Sequence, residues 1–206
     1  MITLYQRTDC PFCWKVRLAL AELALEYDIV ETRLGEKHPD VMRLSPTGSV
    51  PVLVDGELAI WESGVIIEYL DNRYAPGRLM SSDAVAQAGI RLLHAYSDKV
   101  VGGYLRDLVF EKRSKPRRDW QADIIQSGME GWGMCMQYLE RQLGDKPYFG
   151  EQYSAADCAL AARFGVAEAY GAAVAEDCSG LRRWYGAVTA RPGWQAAYPA
   201  FFIRSE

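Results

Sequence analysis

The sequence predicts a small mixed α/β unit of order βαβαββα followed by an all-helical remainder. Three observations carry this reading. The first 75 residues alternate short apolar or β-branched runs with helical ones, and Asp55-Gly56 between two of them is a two-residue hairpin signal. From residue 83 onward apolar residues recur at helical spacing, Leu92, Leu93, Tyr96 and Val100 and then Leu105, Leu108 and Val109. Between these parts lies a charged, Pro/Gly-containing linker, residues 73–78, which divides the chain into 1–77 and 78–206.

The elements follow in order. Ile2-Thr3-Leu4-Tyr5 reads as a first strand with Tyr5 facing the core, and residues 12–24 as a helix. Tyr27-Asp28-Ile29-Val30-Glu31-Thr32 is rich in β-branched and aromatic residues and reads as a second strand, parallel to the first across that helix. A polar stretch, Gly35 to Pro39, leads to a short helix ending at Leu44, and Ser45-Pro46-Thr47-Gly48 is turn chemistry. Pro51 sits near the start of the strand at 50–54, where a missing ladder donor is tolerated. After the strand at 57–61, Ser63 is a natural N-cap for the helical run at 65–70.

The remainder reads as about five helices. Gly102-Gly103 weakens the first long one, so a bend or a close contact is expected there. A second long helix spans about 120–143. Ser154-Ala155-Ala156-Asp157 is a capping box variant opening an Ala-rich buried helix to about residue 170. A further helix at 181–189 ends at Arg191-Pro192-Gly193-Trp194.

Composition bounds the function. With 206 residues, half of them hydrophobic, the chain can build a sizeable core. A net charge of −4 exerts no general pull on nucleic acid or anionic lipid, so neither is expected as a partner. No apolar stretch approaches the roughly 20 residues that span a bilayer, and no basic segment precedes a long apolar run at the N-terminus. The five cysteines are odd in number and spread out, which fits a reducing cytoplasm and no disulfide framework. The basic run at 112–118 reads as a solvated interhelical loop, since no aromatic platform is interleaved with it.

The chemistry concentrates at Cys10-Pro11-Phe12-Cys13. A Cys-x-x-Cys between a strand and a helix reads as a thiol redox or nucleophilic site. Pro11 suits the first helical position, which leaves Cys10 at the mouth of the helix. Free N–H groups and the helix dipole favour its thiolate there, and Lys15 and Arg17 add positive charge. Two incidental thiols, or half a zinc site, are the bland alternatives. Zinc needs four ligands, and His38 and His94 are unpaired, so no metal site is expected. Cys135, Cys158 and Cys178 read as small buried hydrophobes.

The order of elements, with cysteines after strand one and Val50-Pro51 before strand three, resembles the thioredoxin fold. Together with Ser-Pro-Thr-Gly-Ser-Val-Pro-Val-Leu at 45–53 and Glu62-Ser63-x-x-Ile66-x-x-Tyr69-Leu70, the whole chain resembles the cytosolic glutathione transferases, in particular omega-like cysteine-type bacterial members. The resemblance implies a glutathione-dependent thiol transferase or reductase. Cys10 would be the catalytic cysteine and Cys13 either a resolving thiol or a structural one. Val50 would pair its backbone with glutathione and Pro51 would be a cis-proline. Glu62 and Ser63 would hold the γ-glutamyl end and Lys37 the glycyl carboxylate, with Phe12 and Leu34 lining the pocket. The partners implied are glutathione as co-substrate, a small thiol, disulfide or electrophile, and a second copy of the chain in a homodimer. Conjugation of glutathione to electrophiles, a non-catalytic regulator of the stringent-starvation-protein type, and a glutathione-ligated iron–sulfur cluster stay open as alternatives.

Overall fold

The structure, a computed structural model, describes residues 1–203. Its N-terminal part is β1 (Ile2–Gln6), α1 (Pro11–Glu22), β2 (Tyr27–Glu31), α2 (Pro39–Leu44), β3 (Val52–Asp55), β4 (Leu58–Trp61) and α3 (Ser63–Tyr74). The four strands form one mixed sheet in the order β2-β1-β3-β4. The β1–β2 pair is parallel, with Leu4 opposite Ile29, and the β1–β3 and β3–β4 pairs are antiparallel, with Leu4 opposite Leu53. Parallel pairing needs a crossover, which α1 supplies. Ile2, Leu4 and Gln6 are buried on one face of β1, while Tyr5 faces the other side, half-buried and 5.6 Å edge-on from His38. The expectation of a core-facing Tyr5 is thereby corrected.

The helical part comprises α4 (Ala84–Tyr96), α5 (Gly102–Ser114), α6 (Ala122–Leu143), α7 (Ala155–Ala169), α8 (Ser179–Thr189) and α9 (Pro192–Ala197). Helix α1 is the hinge of the packing. Every residue from Cys13 to Leu20 is buried, because α3, α7 and α9 pack around the helix. Small residues make that approach feasible. Ala155, Ala156, Ala159, Ala161 and Ala162 of α7 are buried, and a Cβ on Gly165 would meet the Trp14 ring at 2.2 Å. Trp14 in turn stacks on Trp194 of α9, ring centroids 4.8 Å apart. The linker between the parts is tied down by one buried carboxylate: Asp71 accepts the backbone N–H of Gly77 at 3.0 Å and of Leu79 at 2.5 Å.

Several local expectations change. Glu62, not Ser63, is the N-cap of α3, with φ +69°, and Ser63 is the first helical residue. The first long helix runs on through a wide π turn at Ser97–Val101 into α5. The glycine pair marks a close contact there: a Cβ on Gly102 would lie 2.7 Å from the Arg163 guanidinium. Pro192 opens α9 as its first residue instead of merely ending α8. The basic run at 112–118 is not all solvated loop, because Lys112 and Arg113 close α5 and Arg113 is buried. Among the described residues no helix is long and apolar enough to cross a membrane.

Candidate active site

The site begins with a backbone arrangement. Strand β1 delivers Arg7 to Asp9 to the mouth of α1, and Cys10 is the extended N-cap residue with Pro11 at the first helical position. Cys10 makes no side-chain cap bond of its own. Its sulfur sits where α1 presents orphan amides. Its thiol is lowered to about 6 by the Cys13 thiol beside it, then by the attraction of Arg7 and by the nearby backbone N–H groups of Cys13 and Phe12. Burial opposes these effects. Cys13 lies beneath, fully buried, with its thiol pushed well above the ordinary range by burial and then by its bond to Cys10 and the Cys10 charge. The pair divides the labour: Cys13 keeps its proton and donates it, and Cys10 carries the charge.

The cations named from sequence are engaged elsewhere. Arg17 donates to Gln6 and to the carbonyls of Thr8 and Ala197. Lys15 is buried and bonds the Asp98 carboxylate at 2.6 and 2.7 Å and His94 Nε2 at 2.6 Å. Burial lowers Lys15 to about 8, and burial together with the Lys15 charge pushes His94 to about 3, so His94 is the neutral acceptor. The near cation at Cys10 is Arg7, whose Nε is 2.5 Å from Asp9 Oδ1.

The shifted thiol couples to stability. Its folded pKa of about 6 lies below the ordinary thiol range, so the thiolate stabilises the fold. That contribution is complete above the unfolded value and is lost as pH falls toward 6. Replacing Cys13 with alanine removes the leading donor. The expected result is a thiolate absorbance midpoint that moves up toward the ordinary range near 8.5. An ultraviolet pH titration of the variant beside the parent measures it.

A cavity of about 640 Å³ opens over Cys10. Cys10, Phe12, Leu34 and Val50 line it, and residues of the π turn, α5 and α7 form the opposite wall. The Val50–Pro51 peptide is cis, and Pro51 is buried behind the lining. Lys37 is exposed on the loop after β2, and Glu62 is exposed at the start of α3 with Ser63 buried beside it; these three, like Pro51, stand outside the lining. Glu62 holds a left-handed backbone that a non-glycine residue adopts at a cost of about 1 kcal/mol or more. Such geometry concentrates at ligand sites.

Sequence reasoning missed Arg7, Asp9, Asp98, Arg113 and Arg163. Arg163 lies 4.4 Å over the Phe12 ring and 3.6 Å from Asp98. Arg113 reaches Asp9 at 3.2 Å. A proximity signal existed only for Arg7 and Asp9, which flank the motif in sequence. Among the described residues no group of three or more His, Cys, Asp or Glu side chains converges as a metal site.

Comparison with known proteins bears on the chain as a whole. Residues 4–78 match the glutathione S-transferase N-terminal domain and residues 122–187 the C-terminal domain. The maleylacetoacetate isomerase of Pseudomonas aeruginosa is 31% identical over 97% of this chain and 95% of its own. The stringent starvation protein A homolog of Haemophilus influenzae is 39% identical, over 45% of this chain and 44% of its own, so the chain spans less than half the length of that relative. A crystal structure of a glutathione S-transferase from Rhodospirillum rubrum superposes with a TM-score of 0.89 at 26% identity, covering 100% of this chain and 96% of the other. With both domain models matched and a relative similar along nearly its full length, the chain belongs to the glutathione S-transferase family.

Proposed function

We propose that the chain is a glutathione-dependent thiol transferase and reductase working through a Cys10–glutathione mixed disulfide. The carrying observation is a buried cysteine lowered to about 6 at the floor of an open cavity. In this reading Cys10 sulfur attacks the glutathionyl sulfur of a mixed disulfide. The S–S bond breaks, and the other half leaves as a thiolate that takes a proton from water. The thiolate of a second glutathione then attacks the glutathionyl sulfur. Glutathione disulfide leaves and the Cys10 thiolate is restored. A low thiol pKa helps in both halves, as nucleophile at neutral pH and as leaving group.

Glutathione would lie in the cavity over Cys10, with its cysteinyl backbone on Val50 beside cis-Pro51 in the manner of an added strand. Glu62 would take the ammonium, Ser63 and the α3 amides the γ-glutamyl carboxylate, and Lys37 the glycyl carboxylate. Cys13 supports the thiolate. Once Cys10 is in the mixed disulfide its charge is gone, but burial still holds Cys13 protonated. This favours a second glutathione over Cys13 as the resolving thiol.

The apolar stretch of the cavity wall, Leu105, Val109 and Phe110, favours a second reading, conjugation to an electrophile. The two are separated by turnover of a small disulfide against a halonitroarene, both with glutathione. The disulfide is expected to be turned over faster, and faster arene turnover would reverse the assignment. A homodimer is proposed as well. Trp61, Val65 and Leu92 are exposed on β4, α3 and α4, where Glu68 and Arg91 bridge the two helices at 2.7 and 2.9 Å. Sedimentation at micromolar concentration should give twice the chain mass of 23.1 kDa, and a monomer would refute it.

A further inference from the structure

The wall of the cavity facing Cys10 carries charge that the reaction above does not use. Six cations line the cavity: Arg7, Arg33, Lys99, Arg106, Arg113 and Arg163. Only three carboxylates accompany them, Asp9, Glu36 and Asp98, in a chain whose net charge is −4. Each carboxylate is already engaged. Asp9 holds Arg7 and Arg113, Glu36 faces Arg33 at 3.8 Å, and Asp98 is shared by Lys15 and Arg163.

Three of the cations are spaced regularly. Lys99, Arg106 and Arg113 recur every seven residues along the π turn and α5, which puts them on one helix face. Arg106 and Arg113 are thus about 10 Å apart along the axis. Lys99 and Arg106 have no ion-pair partner among the described residues. Between them Gly102 and Gly103 present bare backbone to the cavity, and a Cβ on Gly103 would meet nothing within 4 Å.

Arg113 is the most buried of the three. It is 7% exposed, yet its Nε and Nη2 have no hydrogen-bond partner. Asp9 Oδ2 stands 3.2 Å from Nη2 and is itself without hydrogen-bond geometry. This edge of the guanidinium is sealed from the cavity and is compensated by the Asp9 charge alone, so Arg113 adds positive potential to the wall. The accessible guanidinium on this wall is Arg106, and a planar carboxylate matches its fork of donors better than other small acceptors. Phe110 and Val109 lie on the same wall, so room is left for a short aliphatic spacer.

We infer that the second substrate is a small organic carboxylate, bound by Arg106 on the positive wall that Lys99 and Arg113 extend, while its sulfur or reacting carbon faces Cys10. This rests on the glutathione reading of the site and adds the class of the partner molecule.

The test uses the intact protein and thioethers of glutathione, which do not react with Cys10. Glutathione, S-butylglutathione and S-(3-carboxypropyl)glutathione are titrated by calorimetry; the last two match in length and differ by one carboxylate. The carboxylate is expected to tighten binding by about 10-fold or more, the range for charge-assisted bonds. In Arg106→Gln and Arg113→Gln that advantage should shrink to within about 3-fold while the Kd of glutathione itself holds. Arg106 is exposed, so Arg106→Gln carries the test if loss of the Arg113–Asp9 pair unfolds the other variant. Equal affinity of the two thioethers, or an advantage that survives Arg106→Gln, overturns the inference and leaves the glutathione reading standing. Failure of all three compounds to bind overturns both.

Discussion

Cys10→Ser is expected to lower glutathione-dependent disulfide reduction by at least about 10³-fold. Serine preserves size and hydrogen bonding, and a hydroxyl in this setting stays protonated at neutral pH. The donors that lower Cys10 to about 6 cannot bring an alcohol into the same range. The loss should fall on the chemical step, because glutathione is held in this reading by Val50, Lys37, Glu62 and Ser63. Glutathione affinity in the serine variant should therefore stay within a few-fold of the parent. Steady-state turnover with a small disulfide, paired with a glutathione titration, measures both. Full retention of turnover would refute a Cys10 nucleophile, and loss of glutathione binding would mean that the substitution damages the pocket and not the chemistry.

Asp157→Ala is expected to have the largest effect on stability. Its carboxylate is fully buried and accepts from four donors: Phe149 N–H at 3.0 Å, Ser154 N–H at 2.9 Å, Ser154 hydroxyl at 2.8 Å and Trp184 Nε1–H at 2.8 Å. Burial holds the carboxyl above the usual range against the pull of these donors. Truncation leaves all four donors buried and unpaired, at a cost of about 3–5 kcal/mol. For a chain of this size that is a fall in Tm of roughly 10 °C. Differential scanning calorimetry reads it. A fall of under about 2 °C would show that water or a shifted loop satisfies the donors.

Both effects rest on features that are local in sequence. The capping box is four consecutive residues, and its reciprocal bonds form as the spacing predicts. The helix-mouth cysteine is equally local, because strand, Cys-Pro and helix follow one another without interruption. The order βαβαββα and the helical remainder were legible for the same reason. Residues that come from afar were not. Arg113 and Arg163 are more than 100 positions from Cys10, and only the tertiary packing of α5 and α7 brings Arg113 to Asp9 and Arg163 over Phe12. Arg113 was further hidden in a run of basic residues whose composition reads as solvent-facing. In the structure the last turn of α5 instead buries it against Asp9. The π turn at Ser97–Val101 had no periodicity signal either, since one extra residue per turn is invisible against scattered apolar spacing. The shift of the α3 N-cap from Ser63 to Glu62 has a simple origin. The chain leaves β4 through a left-handed residue, which starts the helix one position early. Lys15 and Arg17 looked like thiolate partners by sequence distance, but helix geometry turns them into the interface with α4, the π turn and α9.

The central claim is that Cys10 is a thiolate that works on glutathione. Its most direct test is the rate at which glutathione disulfide modifies the intact protein across pH 4 to 9, followed by mass spectrometry of the adduct. The expected result is a single glutathionyl group on Cys10, formed with a rate that rises through a midpoint near 6. An adduct on another cysteine, no adduct, or a midpoint near the ordinary thiol value of about 8.5 would contradict the account.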